Sequence, residues 1–394
     1  MPYFDNAATT FPKPESVYEA MTGFMRTAAG NPGRGAHRLA LCASEIIDES
    51  RLRVARFFGA SSPSRVLFCS NCTAALNMVL HGLLEPGDHV VTSSMEHNAI
   101  IRPLHTLAQK GIEVTRVECA SDGSWTVDDV MAAMRPKTRL VAVGHASNVT
   151  GTIQPIEELG LQVRSRDSLL LVDAAQTAGI LPLDMESMSI DFLAFPGHKE
   201  LLGPPGTGGL VAGKRAKLRP TQQGGTGTRS EEEWQPDDMP EGFETGTINS
   251  VGIAGLNAGL SFITKTGLDV IRAHQLTLIH RLLQGLATVP GLSLYGPAQA
   301  DRQVGVVSIN LSNWEPMDLG IALDQDFDIA VRTGLHCAPL AHRTIGTYPT
   351  GTVRFSPGHF TTLEDIDLAI DALHHLAGQW RRGVPQVGVA DRTI

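Results

Sequence analysis

The chain has 394 residues, 42% hydrophobic and 19% charged, with 40 glycines, 23 prolines and five cysteines. That composition excludes collagen-like, disordered and disulfide-stapled folds, and the length predicts about two domains with a sizeable core. Its 32 basic and 41 acidic residues leave a net charge of −9; with no Lys/Arg-rich run, nucleic acid is not expected as a partner, since binding it needs clustered positive charge.

From the N-terminus, Met1-Pro-Tyr-Phe-Asp5 shows no basic start followed by an apolar run, so no secretory signal is expected. Short, nearly all-apolar runs then alternate with helical patterns. Strands are expected over 65–68, 89–92, 114–117, 139–143, 169–172, 191–195 and 208–212, the pattern of parallel strands covered on both faces. Helices are expected between them, as over 73–84 and 99–110, the second closed by Gly111 in a left-handed conformation. This alternation predicts an α/β fold with a doubly wound, mostly parallel sheet. The longest apolar stretches, such as that around 168–172, fall far short of the roughly 20 residues that cross a bilayer, so no membrane segment is expected.

Composition changes over 220–250, where glycine and threonine give way to acids and Pro236, the mark of an exposed loop. Helical patterns follow over 250–264 and 269–288, then strands over 304–311 and 352–355 and a last helix over 362–380. These predict a smaller α+β domain. The expected division assigns 15–254 to the large domain, and 1–14 with 255–394 to the small one. The tail after Arg381 has no period and is expected to fray. Five sparse, odd-numbered cysteines point to a reduced, cytoplasmic setting.

Gly203-Pro-Pro-Gly-Thr-Gly-Gly209 nearly matches a phosphate-binding P-loop, but Gly209 and Leu210 stand at its lysine and hydroxyl positions. It reads instead as a glycine-rich turn between strands. Cys69 and Cys72 lack a second pair of zinc ligands, leaving a redox pair or two buried thiols. The turn they flank ends a strand and opens a helix, an arrangement that takes an anion. Asp173 ends a strand where open α/β sheets bind ligands, although a helix cap would also use an aspartate. Lys199 lies just past another apolar strand, either as a surface charge or as a desolvated amine able to form a Schiff base. Together, acid, lysine and phosphate-ready turn fit pyridoxal 5′-phosphate, with His97 as a ring that stacks on it. No metal site is expected.

Phe4–Thr10, Met95-Glu-His97, Ser147–Gly151, Val172–Gln176, Gly197-His-Lys199 and Phe243–Asn249 give the chain its resemblance to the class V aminotransferase superfamily. Within it, Arg332-Thr-Gly-Leu-His-Cys-Ala338 is similar to the cysteine loop of group II cysteine desulfurases, the branch that includes selenocysteine-lyase-like enzymes. The resemblance implies a fold type I pyridoxal-phosphate enzyme, homodimeric, that converts L-cysteine to L-alanine and leaves the sulfur as a persulfide on Cys337. It implies that Lys199 holds the cofactor aldehyde and shuttles the substrate α-proton, that Asp173 pairs the ring nitrogen, and that Gln176 contacts the phenolic oxygen. His97 would stack on the ring. Thr73 and His198 would hold the phosphate, with Cys72 beside it and Thr247 reaching it from the neighbouring subunit. Asn148 and Arg354 would take the substrate carboxylate, with Arg332 and His37 also in the substrate site, and Arg332 and His336 favouring the Cys337 thiolate. The resemblance also implies a sulfur-acceptor protein and a place in sulfur mobilisation or iron–sulfur cluster assembly. Three positions depart from the pattern: Pro196 replaces a phosphate-binding serine, Cys72 a common threonine and Leu335 a frequent histidine. A selenocysteine lyase or another class V enzyme is the alternative on the same scaffold, and a noncatalytic sulfur-assembly partner is the alternative of another class.

Overall fold

The computed structural model describes residues 1–33 and 35–380; the tail expected to fray lies outside them. Two helices, α1 (Glu15–Thr27) and α2 (Arg38–Phe57), precede the first sheet. That sheet comprises β1 (Val66–Cys69), β2 (His89–Ser93), β3 (Glu113–Val117), β4 (Thr138–Gly144), β5 (Leu169–Asp173), β6 (Phe192–Pro196) and β7 (Gly208–Ala212). The strand order is β1-β7-β6-β5-β4-β2-β3. β2 to β6 run parallel, and only β7 is reversed against β6 and β1. The glycine-rich segment before β7 makes the reversal, with Gly206 at φ +78° and Thr207 Oγ1 donating to the Pro204 carbonyl at 2.6 Å.

The all-apolar strands follow from burial on both faces. Within β5, Leu170 and Val172 enter one core cluster and Leu169 and Leu171 the other, the two-residue alternation of a pleated strand. Helices α3 (Cys72–Leu83) and α4 (Asn98–Ala108) cover one face, through Leu76, Leu80, Ile100 and Leu104. On the other lie α2, α5 (Val127–Ala133), α6 (Ile156–Ser165) and α7 (Ser250–Thr266). Gly111 takes φ +91°, the left-handed conformation expected of it.

The remaining elements are α8 (Leu268–Leu286), β8 (Leu292–Tyr295), β9 (Val307–Leu311), α9 (Pro316–Phe327), β10 (Arg332–Gly334), α10 (Pro339–Thr344), β11 (Thr352–Phe355) and α11 (Leu363–Trp380). Their strands form an antiparallel sheet in the order β10-β11-β9-β8. Phe4 is buried in its core with Leu278, Leu323, Phe355 and Leu373, and Tyr3 and Asp5 form bridges to Ala330 and Ser356. A division after residue 254 falls inside α7, whose Leu256, Leu260 and Ile263 belong to the core of the first sheet. Apolar contact therefore carries that core beyond the expected boundary. No helix of the described residues is long and apolar enough to cross a membrane.

Candidate active site

The carboxyl ends of β1, β2, β4, β5 and β6 open onto one cavity of about 220 Å³, closed from the other side by the second sheet. Cys72, Thr73, His97, Asn148, Asp173 and Gln176 line it, as do His198 and Lys199 beyond β6. Arg332 on β10 and Arg354 on β11 face each other in register and complete the wall. The N-terminal residues Ala7 and Ala8 also line it, a contribution that their small apolar side chains did not signal.

Asp173 is the last residue of β5, and its Oδ1 accepts from the Ala175 N–H at 2.8 Å and from the Cys72 thiol at 3.4 Å. Asn71 caps α3 by accepting the Ala74 N–H at 2.9 Å. Helix geometry leaves the amides of Cys72 and Thr73 without intrahelical acceptors, which suits an anion. The Cys72 side chain was expected beside a phosphate; it turns instead to Asp173, because a buried thiol seeks the nearest strong acceptor. Burial and the Asp173 charge push its pKa well up, so it remains a thiol. Pro196 ends β6 within the cavity wall and has no N–H to offer.

Burial lowers the Lys199 pKa to about 8, while Asp173 holds it from falling further. The N-terminal segment pins the backbone on either side of this lysine. Thr10 Oγ1 donates to the Lys199 carbonyl at 2.9 Å, and Lys13 Nζ donates to the His198 carbonyl at 2.6 Å. Burial drops the His198 imidazole to about 4, leaving it neutral at pH 7. His97 caps α4, its Nδ1 accepting the Ala99 N–H at 3.0 Å; that bond assigns the proton of the neutral ring to Nε2. Burial lowers its pKa as well. Gln176 Nε2 donates to the Ala7 carbonyl at 3.2 Å.

Sequence reasoning passed over Glu96. It lines the cavity, accepts from Ser93 Oγ at 2.6 Å and from the Gly144 N–H at 2.8 Å, and burial lifts its pKa to about 8. Its place just past β2 and directly before His97 was the available signal.

Arg354 is 1% exposed. Its Nη2 pairs with Asp5 Oδ1 at 2.8 Å, its Nη1 donates to the Asn148 carbonyl at 3.0 Å, and its Nε has no partner among the described residues. Asn148 directs its side-chain amide to the His336 carbonyl at 2.7 Å. Cys337 is exposed beyond the cavity lining, on the loop after β10. His336 was expected to support the thiolate by its charge, but it is buried. Desolvation, helped by Arg354 and His342, drives its pKa to about 2, so the ring is neutral.

Besides Cys337, Thr247 and His37 also lie outside the cavity lining. Thr247 lies in a separate hollow with Ser70, Thr245 and Asn249. His37 caps α2, its Nδ1 accepting the Ala40 N–H at 3.3 Å.

The aminotransferase class-V family profile matches residues 2–368. A probable cysteine desulfurase of Methanothermobacter thermautotrophicus is 37% identical over 383 residues, covering 95% of this chain and 94% of its own. The cysteine desulfurase of Pectobacterium atrosepticum is 34% identical over 390 residues, covering 95% and 94%. Among solved structures, apo cysteine desulfurase from Thermococcus onnurineus NA1 superposes with a TM-score of 0.90 at 34% identity, covering 96% of this chain and 95% of that one. The cysteine desulfurase CsdA from Escherichia coli gives 0.85 at 28% identity, covering 96% and 94%.

Proposed function

The chain belongs to the class V aminotransferase family, and from that premise we propose that it is a pyridoxal-phosphate-dependent cysteine desulfurase that yields L-alanine and a persulfide on Cys337. One observation carries this reading: Lys199, Asp173 and His97 share a single cavity whose far wall holds Arg332 and Arg354, with the Cys337 loop beside it.

The donor set fits the cofactor. Asp173 suits a protonated ring nitrogen, the Cys72 and Thr73 amides suit a phosphate, and Lys199, with its pKa near 8, offers a partly free amine close to neutral pH. When bound, the cofactor supplies an aldehyde for amines and a ring that withdraws electrons from the substrate α-carbon.

The protein's own groups do the rest. Lys199 Nζ takes the α-proton, and Arg332 and Arg354 hold the substrate carboxylate with the guanidinium fork. His97 presents a neutral face to the ring. The Cys337 thiolate attacks the substrate sulfur; the new S–S bond forms as the Cβ–S bond breaks, and the electron pair of the broken bond stays on the carbon, which takes up a proton to become the methyl group of alanine. Arg332 and Arg354 are the cations available to favour that thiolate, and the charge of Arg354 is felt at Cys337. A homodimer would bring Thr247 of one chain to the phosphate of the other, and a separate protein would accept the sulfur. A reducing cytoplasm suits the five unpaired thiols.

The test is turnover of L-cysteine by cofactor-loaded protein with a thiol reductant. Alanine and sulfide are expected, with no turnover by Lys199→Ala. Cys337→Ala should keep the visible absorption band and lose sulfide release. Sulfide production that survives Cys337→Ala would refute the persulfide route.

A further inference from the structure

Lys199 belongs to no helix or strand; it sits in the loop that leaves β6 at Pro196 and returns as β7. Within the loop, the Leu202 N–H donates to the Lys199 carbonyl and the Gly203 N–H to the Gly197 carbonyl, each at 2.8 Å. A second hold comes from the N-terminal segment, 189 positions away in sequence. The His198 carbonyl accepts from Thr9 Oγ1 at 3.1 Å, from the Thr10 N–H at 3.2 Å and from Lys13 Nζ at 2.6 Å. Thr10 Oγ1 directs its proton to the Lys199 carbonyl at 2.9 Å and accepts from Lys13 Nζ in turn. These carbonyls cannot turn without leaving their donors unpaired.

The N-terminal segment is itself fixed at its other end. Tyr3 Oη donates to the Thr9 carbonyl at 3.0 Å, and Asn6 Oδ1 accepts the Phe11 N–H at 3.2 Å. Asn6 Nδ2 donates to the Ser356 carbonyl at 2.9 Å, and Asp5 pairs with Arg354. One short stretch of chain therefore joins the arginine wall of the cavity to the loop that carries the lysine. Thr10 is 4% exposed, and neither Thr10 nor Lys13 lines the cavity, so both act on Lys199 through its backbone.

We propose that Thr10, with Thr9 and Lys13 beside it, is a positioning residue for Lys199, a clamp on the backbone that keeps the amine inside the cavity. The consequence, the speed of cofactor uptake, rests on the pyridoxal-phosphate reading. The position of the amine itself is measurable without cofactor.

The experiment uses the full-length chain, first as apoprotein and then mixed with pyridoxal 5′-phosphate. Acetic anhydride labelling of Lys199 against pH, read by mass spectrometry, gives the titration midpoint of the amine. Burial holds that midpoint at about 8 in the wild type. Thr10→Val keeps the side-chain shape and removes the hydroxyl without changing any charge. An amine released toward water titrates higher, so the midpoint should rise by about half a pH unit or more. Cofactor uptake at pH 7 should then slow at least about threefold, the same shift expressed as free-amine fraction. Thr10→Ser keeps the hydroxyl and should stay within about 0.2 pH units of the wild type. Thr9→Val removes a neutral donor at a half-buried position and should move the midpoint the same way, which keeps the test open if Thr10→Val does not fold.

A merely structural Thr10 would lower resistance to denaturant in Thr10→Val and leave the Lys199 titration where it is. Thr10→Val or Thr9→Val protein that titrates like the wild type would overturn the inference, as would Thr10→Ser shifting as far as Thr10→Val. If the wild type takes up no cofactor at Lys199, the desulfurase reading falls, while the titration of the amine still decides the clamp.

Discussion

The thiol of Cys72, at the first turn of α3, lies 3.4 Å from Oδ1 of Asp173 at the end of β5. Two adjacent parts of the site, the helix that offers free amides and the acid suited to a ring nitrogen, are thereby joined. Burial and the neighbouring carboxylate keep Cys72 protonated, and burial pushes Cys69 to about 12. Folded protein treated with iodoacetamide near neutral pH should label Cys337 at least about tenfold faster than Cys69 or Cys72, because the thiolate is the reactive form. Unfolding should erase the difference. Equal labelling in the folded state would show that Cys72 does not donate to Asp173.

Lys199 sets a pH dependence for cofactor uptake. Its pKa is lowered to about 8, and Asp173 is the charge that opposes a deeper fall. The free-amine fraction grows as pH rises through about 8, so apoprotein should take up pyridoxal 5′-phosphate faster up to that pH and then level off. Removing the opposing charge in Asp173→Asn should move the midpoint down. Stopped-flow absorbance against pH measures both, and an upward shift in the variant would contradict the arrangement.

Strand positions were legible because β5, β6 and β7 are apolar on both faces, and only strands covered twice are. The direction of β7 was not, since an all-apolar run reads the same either way. Asp173 and Lys199 could be singled out as polar residues at the ends of apolar runs. The turn of Cys72 toward Asp173 and the pairing of Arg354 with Asp5, 349 positions away, depend on tertiary contact and leave no local pattern. Helices α1 and α2 escaped notice because their buried faces pack largely on other helices, through small residues such as Ala28 and Ala43. The neutrality of His336 also required the fold: sequence places it beside Cys337 but says nothing of its burial.

Glu96 should make stability fall with rising pH. An unfolded glutamate titrates near about 4.3, whereas the folded side chain titrates at about 8 because it is buried. The folded state therefore holds the proton more tightly. This contribution is fully present below about pH 4.3 and is lost as pH rises toward about 8. Glu96→Gln keeps the size and can still meet Ser93 and the Gly144 N–H without titrating. In denaturant unfolding between about pH 5 and 8, the variant should gain on the wild type by up to about 1.4 kcal/mol per pH unit. A gap that stays constant with pH would mean Glu96 is ionised throughout.

Arg51 and Glu244 form a two-pronged ion pair, both contacts at 2.7 Å and both side chains about nine-tenths buried. Glu244 also accepts the Phe68 N–H at 2.6 Å, and the Arg51 guanidinium lies 4.9 Å from the Phe68 ring centroid. The pair thus ties α2 and β1 to the segment that carries Thr247. Removing one partner leaves a buried charge uncompensated, so Arg51→Ala or Glu244→Ala should cost roughly 3–5 kcal/mol in denaturant unfolding. Replacing both by apolar residues of similar volume, as in Arg51→Met with Glu244→Leu, should cost much less, because no charge is then stranded. The double variant leaves the Phe68 N–H without its acceptor, so some loss should remain. A double variant as unstable as the sum of the single ones would show that the two charges do not act as a pair.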